Sequence, residues 1–179
     1  MKYWMFAAAL SLVIVSPSMA QQRASSNPLI DFGGYMRIAS QTQGIRAKRL
    51  LPLEVFKTRA AEPQTLLLDA RSAQAFSEGH IEGAVNLPLP DFTAESLRDI
   101  VGDNPNRRIL IYCNNNFTNN VRPVPTKVIQ VALNIQTFIN LRAYGFTNVW
   151  ELADAVDFND PRVGWVGSRQ RVASNSFLR

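Results

Sequence analysis

The chain has 179 residues, with 19 lysines and arginines against 14 acids, a formal charge of +5, 1 histidine and 1 cysteine. A lone cysteine excludes an intrachain disulfide framework and two-thiol exchange chemistry, and one histidine beside it cannot complete the four ligands of a structural zinc site. The basic residues are scattered and not interleaved with aromatics, which argues against a nucleic-acid surface.

Met1–Ala20 carries Lys2, an apolar stretch from Phe6 to Val15, a breaker at Pro17, and Ser18-Met19-Ala20 ahead of Gln21. An apolar stretch too short to span a bilayer, followed by small-x-small residues, reads as a cleaved secretory signal peptide over 1–20. An uncleaved anchor is the competing reading. The mature chain is then expected in a periplasm, with no stable membrane insertion after cleavage. Residues 21–48 are polar and carry Gly33, Gly34 and Gly44, so they are expected to form an N-terminal leader on the surface, with a short ordered piece around Leu29–Met36.

The domain proper is expected over 49–153. Leu50-Leu51 reads as a strand, and Pro52 suits the first turn of a helix through Arg59. Thr65–Asp69 is a buried strand, Ser72–Glu78 a short helix stopped by Gly79, and Ala84–Leu87 a further strand. Thr93 caps a helix through Val101, with Gly102 beyond its end. Arg108–Tyr112 is the next strand, and the longest helix is expected from Thr126 to Ala143, where Val128, Val131, Ala132, Ile135, Phe138 and Ile139 keep helical spacing. Val149–Leu152 is the last strand, and residues 154–179 are left as a C-terminal tail. Short apolar runs alternating with helices predict a three-layer α/β fold, a central parallel sheet of about five strands with helices on both faces. Ligands bind such sheets at the carboxyl ends of the strands, where Asp69 and Cys113 both fall.

Cys113 ends an apolar strand and enters a polar loop, Asn114-Asn115-Asn116-Phe117-Thr118-Asn119-Asn120. Amide N–H groups and a helix N-terminus favour the thiolate, which is the nucleophilic form. The plainer reading is a small buried hydrophobe.

The stretch from Leu68 to Pro88 contains Asp69-Ala70-Arg71, then Phe76, then Gly79-His80-Ile81-Glu82-Gly83-Ala84-Val85-Asn86, and it resembles the rhodanese superfamily. Cys113 arrives after a further strand, where a rhodanese places its nucleophile. Gly145-Phe146-Thr147-Asn148-Val149-Trp150 is similar to the run before that domain's last strand. The resemblance covers roughly Arg49 to Leu152. It implies a sulfurtransferase in which Cys113 carries sulfane sulfur as a persulfide, with thiosulfate or a persulfide as donor and no cofactor. Asn114, Asn115, Asn116, Phe117, Thr118 and Asn119 would wrap the sulfur with backbone amides, and Arg122 is a nearby cation. Asp69 and Arg71 are supporting residues that orient the active edge or fix the loop after the strand. The implied partners are a small sulfur donor or a partner-protein thiol.

The chain departs from the family pattern at three places. Its loop is neutral, which weakens the case for a dianionic donor. Asn119–Pro125 reads as an insertion that acts as a lid or holds the next helix away from the thiol. The Gly-Gly and Trp that usually follow the last strand are missing after Leu152. A catalytically weak sulfur-carrier or protein-binding module on the same fold is therefore the alternative. A rhodanese-fold phosphatase would need an arginine where Asn119 stands. His80 reads as part of a structural turn, and Trp150 and Trp165 as packing residues.

Overall fold

The computed structural model describes residues 27–167; residues 27–31 form a local turn, in which Leu29 N–H donates to Asn27 Oδ1 at 2.9 Å. From Phe32 onward the helices are α1 (Phe32–Arg46), α2 (Leu53–Ala60), α3 (Ala73–Glu78), α4 (Ala94–Val101) and α5 (Leu133–Ala143). The strands are β1 (Leu50–Leu51), β2 (Leu66–Asp69), β3 (His80–Ile81), β4 (Val85–Asn86), β5 (Ile109–Tyr112), β6 (Val149–Leu152) and β7 (Trp165–Val166). Five strands form a parallel sheet in the order β1-β6-β5-β2-β4, and β3 and β7 pair antiparallel beside it. Among the described residues no helix is long and apolar enough to cross a membrane.

β2 and β5 are buried at every position, as parallel strands covered on both faces must be. Strand alternation then sorts their side chains into two cores. Leu67, Leu110 and Tyr112 pack with Leu51, Phe56 and Trp165 on one face. Leu68, Ile109 and Ile111 pack with Leu97, Phe138 and Leu141, from α4 and α5, on the other. Each such side chain contributes roughly 1.5–3 kcal/mol by leaving water. Local chemistry agrees with this layout. Thr93 and Ser96 form a reciprocal capping box at the start of α4, their mutual bonds being 2.9 and 3.0 Å. Gly79 lies where any Cβ would fall 2.5 Å from the Trp165 indole, so only glycine lets β7 close on the turn before β3.

Three expectations are corrected. Within the stretch read as a surface leader, the ordered piece extends well beyond Met36, as the helix α1 through Arg46. Its glycines weaken it in isolation, but packing against α5 stabilises it, which is how most helices in proteins are held. The helix expected from Thr126 starts only at Leu133. Asn115 holds the backbone of Lys127 at both its N–H (3.1 Å) and its C=O (2.8 Å), Asn114 Nδ2 holds the Pro125 carbonyl at 2.9 Å, and Ala132 is extended at ψ 133°. Val128, Ile129 and Val131 therefore lie exposed instead of forming a buried face. Finally, Asn119–Pro125 is not a free lid, because Val124 is fully buried in the core and the Pro123 carbonyl accepts from Arg71 Nη1 at 3.3 Å. The described part of the expected tail, residues 154–167, also packs back: Val156 bridges Phe117, and Trp165 is buried.

Candidate functional site

Strand parity brings the site together. Cys113 continues the face of Ile109 and Ile111, and Glu151 continues the face of Val149, which is the face covered by α5. Ile111 and Glu151 are register partners on adjacent strands, so the thiol after β5 and the carboxylate of β6 are neighbours below the N-terminus of α5.

Cys113 is 1 % exposed. The chain turns immediately into a 3₁₀ turn, Asn114–Asn116, whose Asn116 N–H faces the Cys113 sulfur while Asn116 Oδ1 accepts the Cys113 backbone N–H at 2.9 Å. The backbone amides of Asn115, Leu133 and Asn134 also reach the thiol. The last two belong to the first turn of α5, whose amides have no partners within the helix and whose dipole favours an anion. Burial nonetheless raises the thiol above its ordinary range. The amides of Asn134 and Asn115 pull it down, the Glu151 carboxylate pushes it up, and the Leu133 amide pulls it down again.

Around the sulfur the side chains are tied to one another. Asn116 Nδ2 donates to the carbonyls of Leu152 (2.8 Å) and Asp154 (3.1 Å). Asn134 Nδ2 donates to Asn116 Oδ1 (2.9 Å) and Glu151 Oε1 (3.1 Å). Arg46, from the end of α1, grips Glu151 in a fork, Nε to Oε2 at 2.7 Å and Nη2 to Oε1 at 2.6 Å. Cys113, Asn115, Asn116, Asn134, Glu151 and Arg46 line one open cavity of about 280 Å³. Among the described residues no three His, Cys, Asp or Glu side chains gather as a set of metal ligands.

The residues singled out in the sequence divide into two groups. Asn115 and Asn116 lie at the thiol with their amides turned to it. Asn114 is buried and spends its side chain on Pro125. Phe117, Thr118 and Asn119 turn away. Phe117 packs edge-on against Tyr112 and Trp165, Thr118 N–H donates to the Val156 carbonyl, and Asn119 bonds Asp157 and Phe158. Arg122 pairs with Glu78 beside α3 and does not line the thiol's cavity. Asp69 and Arg71 form a fully buried pair at 2.6 Å that also takes the Tyr112 hydroxyl (2.6 Å) and the Gly79 carbonyl (2.8 Å). That pair holds the β2 loop and the Gly79 turn in place and does not touch the sulfur. His80 Nδ1 donates to the Phe76 carbonyl at 2.9 Å and its ring stacks on the Phe76 ring. Arg46, Asn134 and Glu151 were not found by sequence reasoning. The one available signal was the acid in an otherwise apolar last strand.

A thiol at the carboxyl edge of a parallel sheet, in a turn of inward amides, defines a one-cysteine α/β domain. The rhodanese-like domain family matches residues 53–156, and the chain belongs to that family. No curated protein sequence matches the chain. Solved structures similar to it include the rhodanese-like domain of an Anabaena sp. protein in solution, at 22 % identity over 68 % of this chain and 81 % of that one, TM-score 0.47. A crystal structure of the Anabaena protein matches at 20 % identity over 71 % and 89 % of the two chains, TM-score 0.44. A thiosulfate sulfurtransferase from Pseudomonas aeruginosa matches at 17 % identity over 67 % of this chain and 20 % of that one, TM-score 0.43.

Proposed function

We propose that the protein is a sulfurtransferase that moves sulfane sulfur through a persulfide on Cys113. The observation that carries this reading is the convergence of the Asn115, Asn116, Leu133 and Asn134 amides on one thiol at the base of an open cavity. Amides fixed in advance stabilise a sulfur anion without reorganising, whether it is the attacking thiolate or the persulfide that follows. The thiolate attacks the donor's sulfane sulfur, a new S–S bond forms, and the donor's old bond to that sulfur breaks with its electron pair leaving on the donor. A nucleophilic acceptor, a small molecule or a partner-protein thiol, then takes the outer sulfur and returns the thiolate. Phe117, Asn119 and Arg122 have no part in this step; Asp69 and Arg71 support the scaffold. We place the reaction in the periplasm on the strength of the signal-like segment 1–20, which lies outside the described residues.

A specific observation favours a second reading, a sulfur carrier that turns over poorly: the thiol is buried and raised, and a carboxylate lies in its cavity. Intact mass after incubation with thiosulfate, or with cysteine persulfide, tests both. Gain of one sulfur that cyanide removes repeatedly supports the enzyme. A stable adduct without turnover supports the carrier, and no adduct from either donor on a thiol that still alkylates removes both.

A further inference from the structure

Arg46 and Glu151 are the charged residues lining the Cys113 cavity among those described. An arginine at the mouth of a sulfur site would attract a sulfonate-bearing donor, but this one is committed. Its Nε and Nη2 both donate to the Glu151 carboxylate, whose side chain is 6 % exposed against 30 % for Arg46. A bidentate fork leaves the guanidinium's charge compensated at close range. Beyond the backbone amides that face the sulfur, two asparagine side-chain oxygens do not help a dianion: Asn134 Oδ1 is a buried acceptor with no partner among the described residues, and Asn116 Oδ1 is an acceptor already in use. The other walls are apolar, from Leu50, Ile129, Ala132 and Ile135. Lys127, held at the rim through its backbone by Asn115, does not line the cavity.

We infer that the Arg46–Glu151 pair is the charge selector of the Cys113 site: by compensating Arg46, Glu151 turns the cavity against dianionic donors such as thiosulfate and toward organic persulfides with an uncharged body. The inference rests on the sulfurtransferase reading for its substrate class. The favoured step is balanced without any further reagent. The Cys113 thiolate bonds the outer sulfur of R–S–SH, the donor's S–S bond breaks, and R–S⁻ leaves with the electron pair, the proton staying on the transferred sulfur. Thiosulfate would run the same displacement with sulfite leaving, but it must bring its charge past Glu151.

The pair is tested with Glu151→Gln, which frees the cation, and Arg46→Gln, which frees the carboxylate, each checked for native circular dichroism. Two ratios are read on Cys113: alkylation by iodoacetate against neutral iodoacetamide, and persulfide formation from thiosulfate against the persulfide of β-mercaptoethanol, whose body is uncharged. Removing one unit charge a few ångströms away in a part-wet cavity changes such a ratio by about tenfold. Both ratios rise in Glu151→Gln and fall in Arg46→Gln. Ratios within about twofold of the parent in both variants overturn the selector, and if Glu151→Gln does not fold, an unchanged alkylation ratio in Arg46→Gln overturns it alone. The alkylation ratio needs no sulfur transfer. If it shifts as stated while no donor yields a persulfide, the enzyme reading fails and the electrostatic role of the pair stands; persulfide formation with unmoved ratios is the reverse case.

Discussion

Asn116 and Cys113 hold one another: the Asn116 side chain accepts the Cys113 backbone N–H at 2.9 Å while the Asn116 N–H turns to the Cys113 sulfur. The same asparagine side chain donates to the carbonyls of Leu152 and Asp154, so one residue ties the cysteine turn to the end of β6. The shape of the anion cradle therefore depends on a side chain that never contributes charge to it.

Replacing it tests that dependence. Asn116→Ala leaves a buried donor and buried carbonyls without partners, a loss of about 2–4 kcal/mol in urea unfolding. Persulfide formation on Cys113 should slow by about tenfold or more as its amides lose their aim. Unchanged stability in that variant would show that the turn holds itself.

The Asp69–Arg71 pair makes a contrasting case. Both side chains are almost wholly buried, and Tyr112 donates to Asp69 at 2.6 Å. Burial and the Asp69 carboxylate push the Tyr112 phenol far above its ordinary range, so it stays a donor. Asp69→Asn leaves Arg71 uncompensated in the interior and should cost about 3–5 kcal/mol, while Tyr112→Phe should cost about 1–2 kcal/mol. Under conditions where both variants remain folded, iodoacetamide should alkylate Cys113 at nearly the parent rate. A severalfold change in that rate would tie the pair directly to the thiol.

These residues also show what was legible in the sequence. The Asp-x-Arg and Gly-His-Ile runs are local, and each works through contacts within a few residues or one strand away, so their spacing survives in the chain. Cys113 at a strand end was legible for the same reason. Arg46 and Glu151 meet from opposite ends of the domain, and no periodicity connects them. Arg46 was further hidden because the glycines of α1 resemble a leader, although packing on α5 outweighs their propensity. The asparagine run misled in the opposite direction. It reads as one amide-lined loop, yet only Asn115 and Asn116 face the sulfur, and the other amides come from α5. The expected start of that helix lies about two turns too early because its apolar spacing continues through Val128, where Asn115 in fact pins the backbone extended.

The thiol's environment sets a pH dependence. Burial raises the Cys113 pKa above that of an unfolded thiol, about 8.5. The folded protein thus keeps its proton over a window in which the unfolded chain has lost it. The stability this contributes is complete below the unfolded value and is lost as pH rises through the folded one. Tyr112 acts with the same sign and Lys57, lowered by burial, with the opposite sign, so the thiol's share is the difference between parent and Cys113→Ser. Urea unfolding of the two proteins should show the parent losing more stability between neutral pH and strongly alkaline pH, and parallel profiles would contradict a raised thiol. Cys113→Ser should also abolish sulfur transfer while keeping the fold.

Deleting Asn119–Pro125 would be harmless if the segment were a loose insertion over the site. Its contacts argue otherwise. Val124 is fully buried among Phe56, Tyr112 and Trp165, the Pro123 carbonyl accepts from Arg71, and the Asn120 side chain accepts the Thr126 N–H at 3.0 Å. Pro125 and Lys127 are in turn held by Asn114 and Asn115, the residues that follow Cys113. The segment is a strap that joins the Arg71 loop to the cysteine turn, and shortening it should unfold or severely weaken the domain. Val124→Ala isolates the packing part: removing two methyls from a filled core should cost about 1–3 kcal/mol, with donor preference at Cys113 unchanged. A changed thiosulfate-to-persulfide ratio without loss of stability would restore the lid.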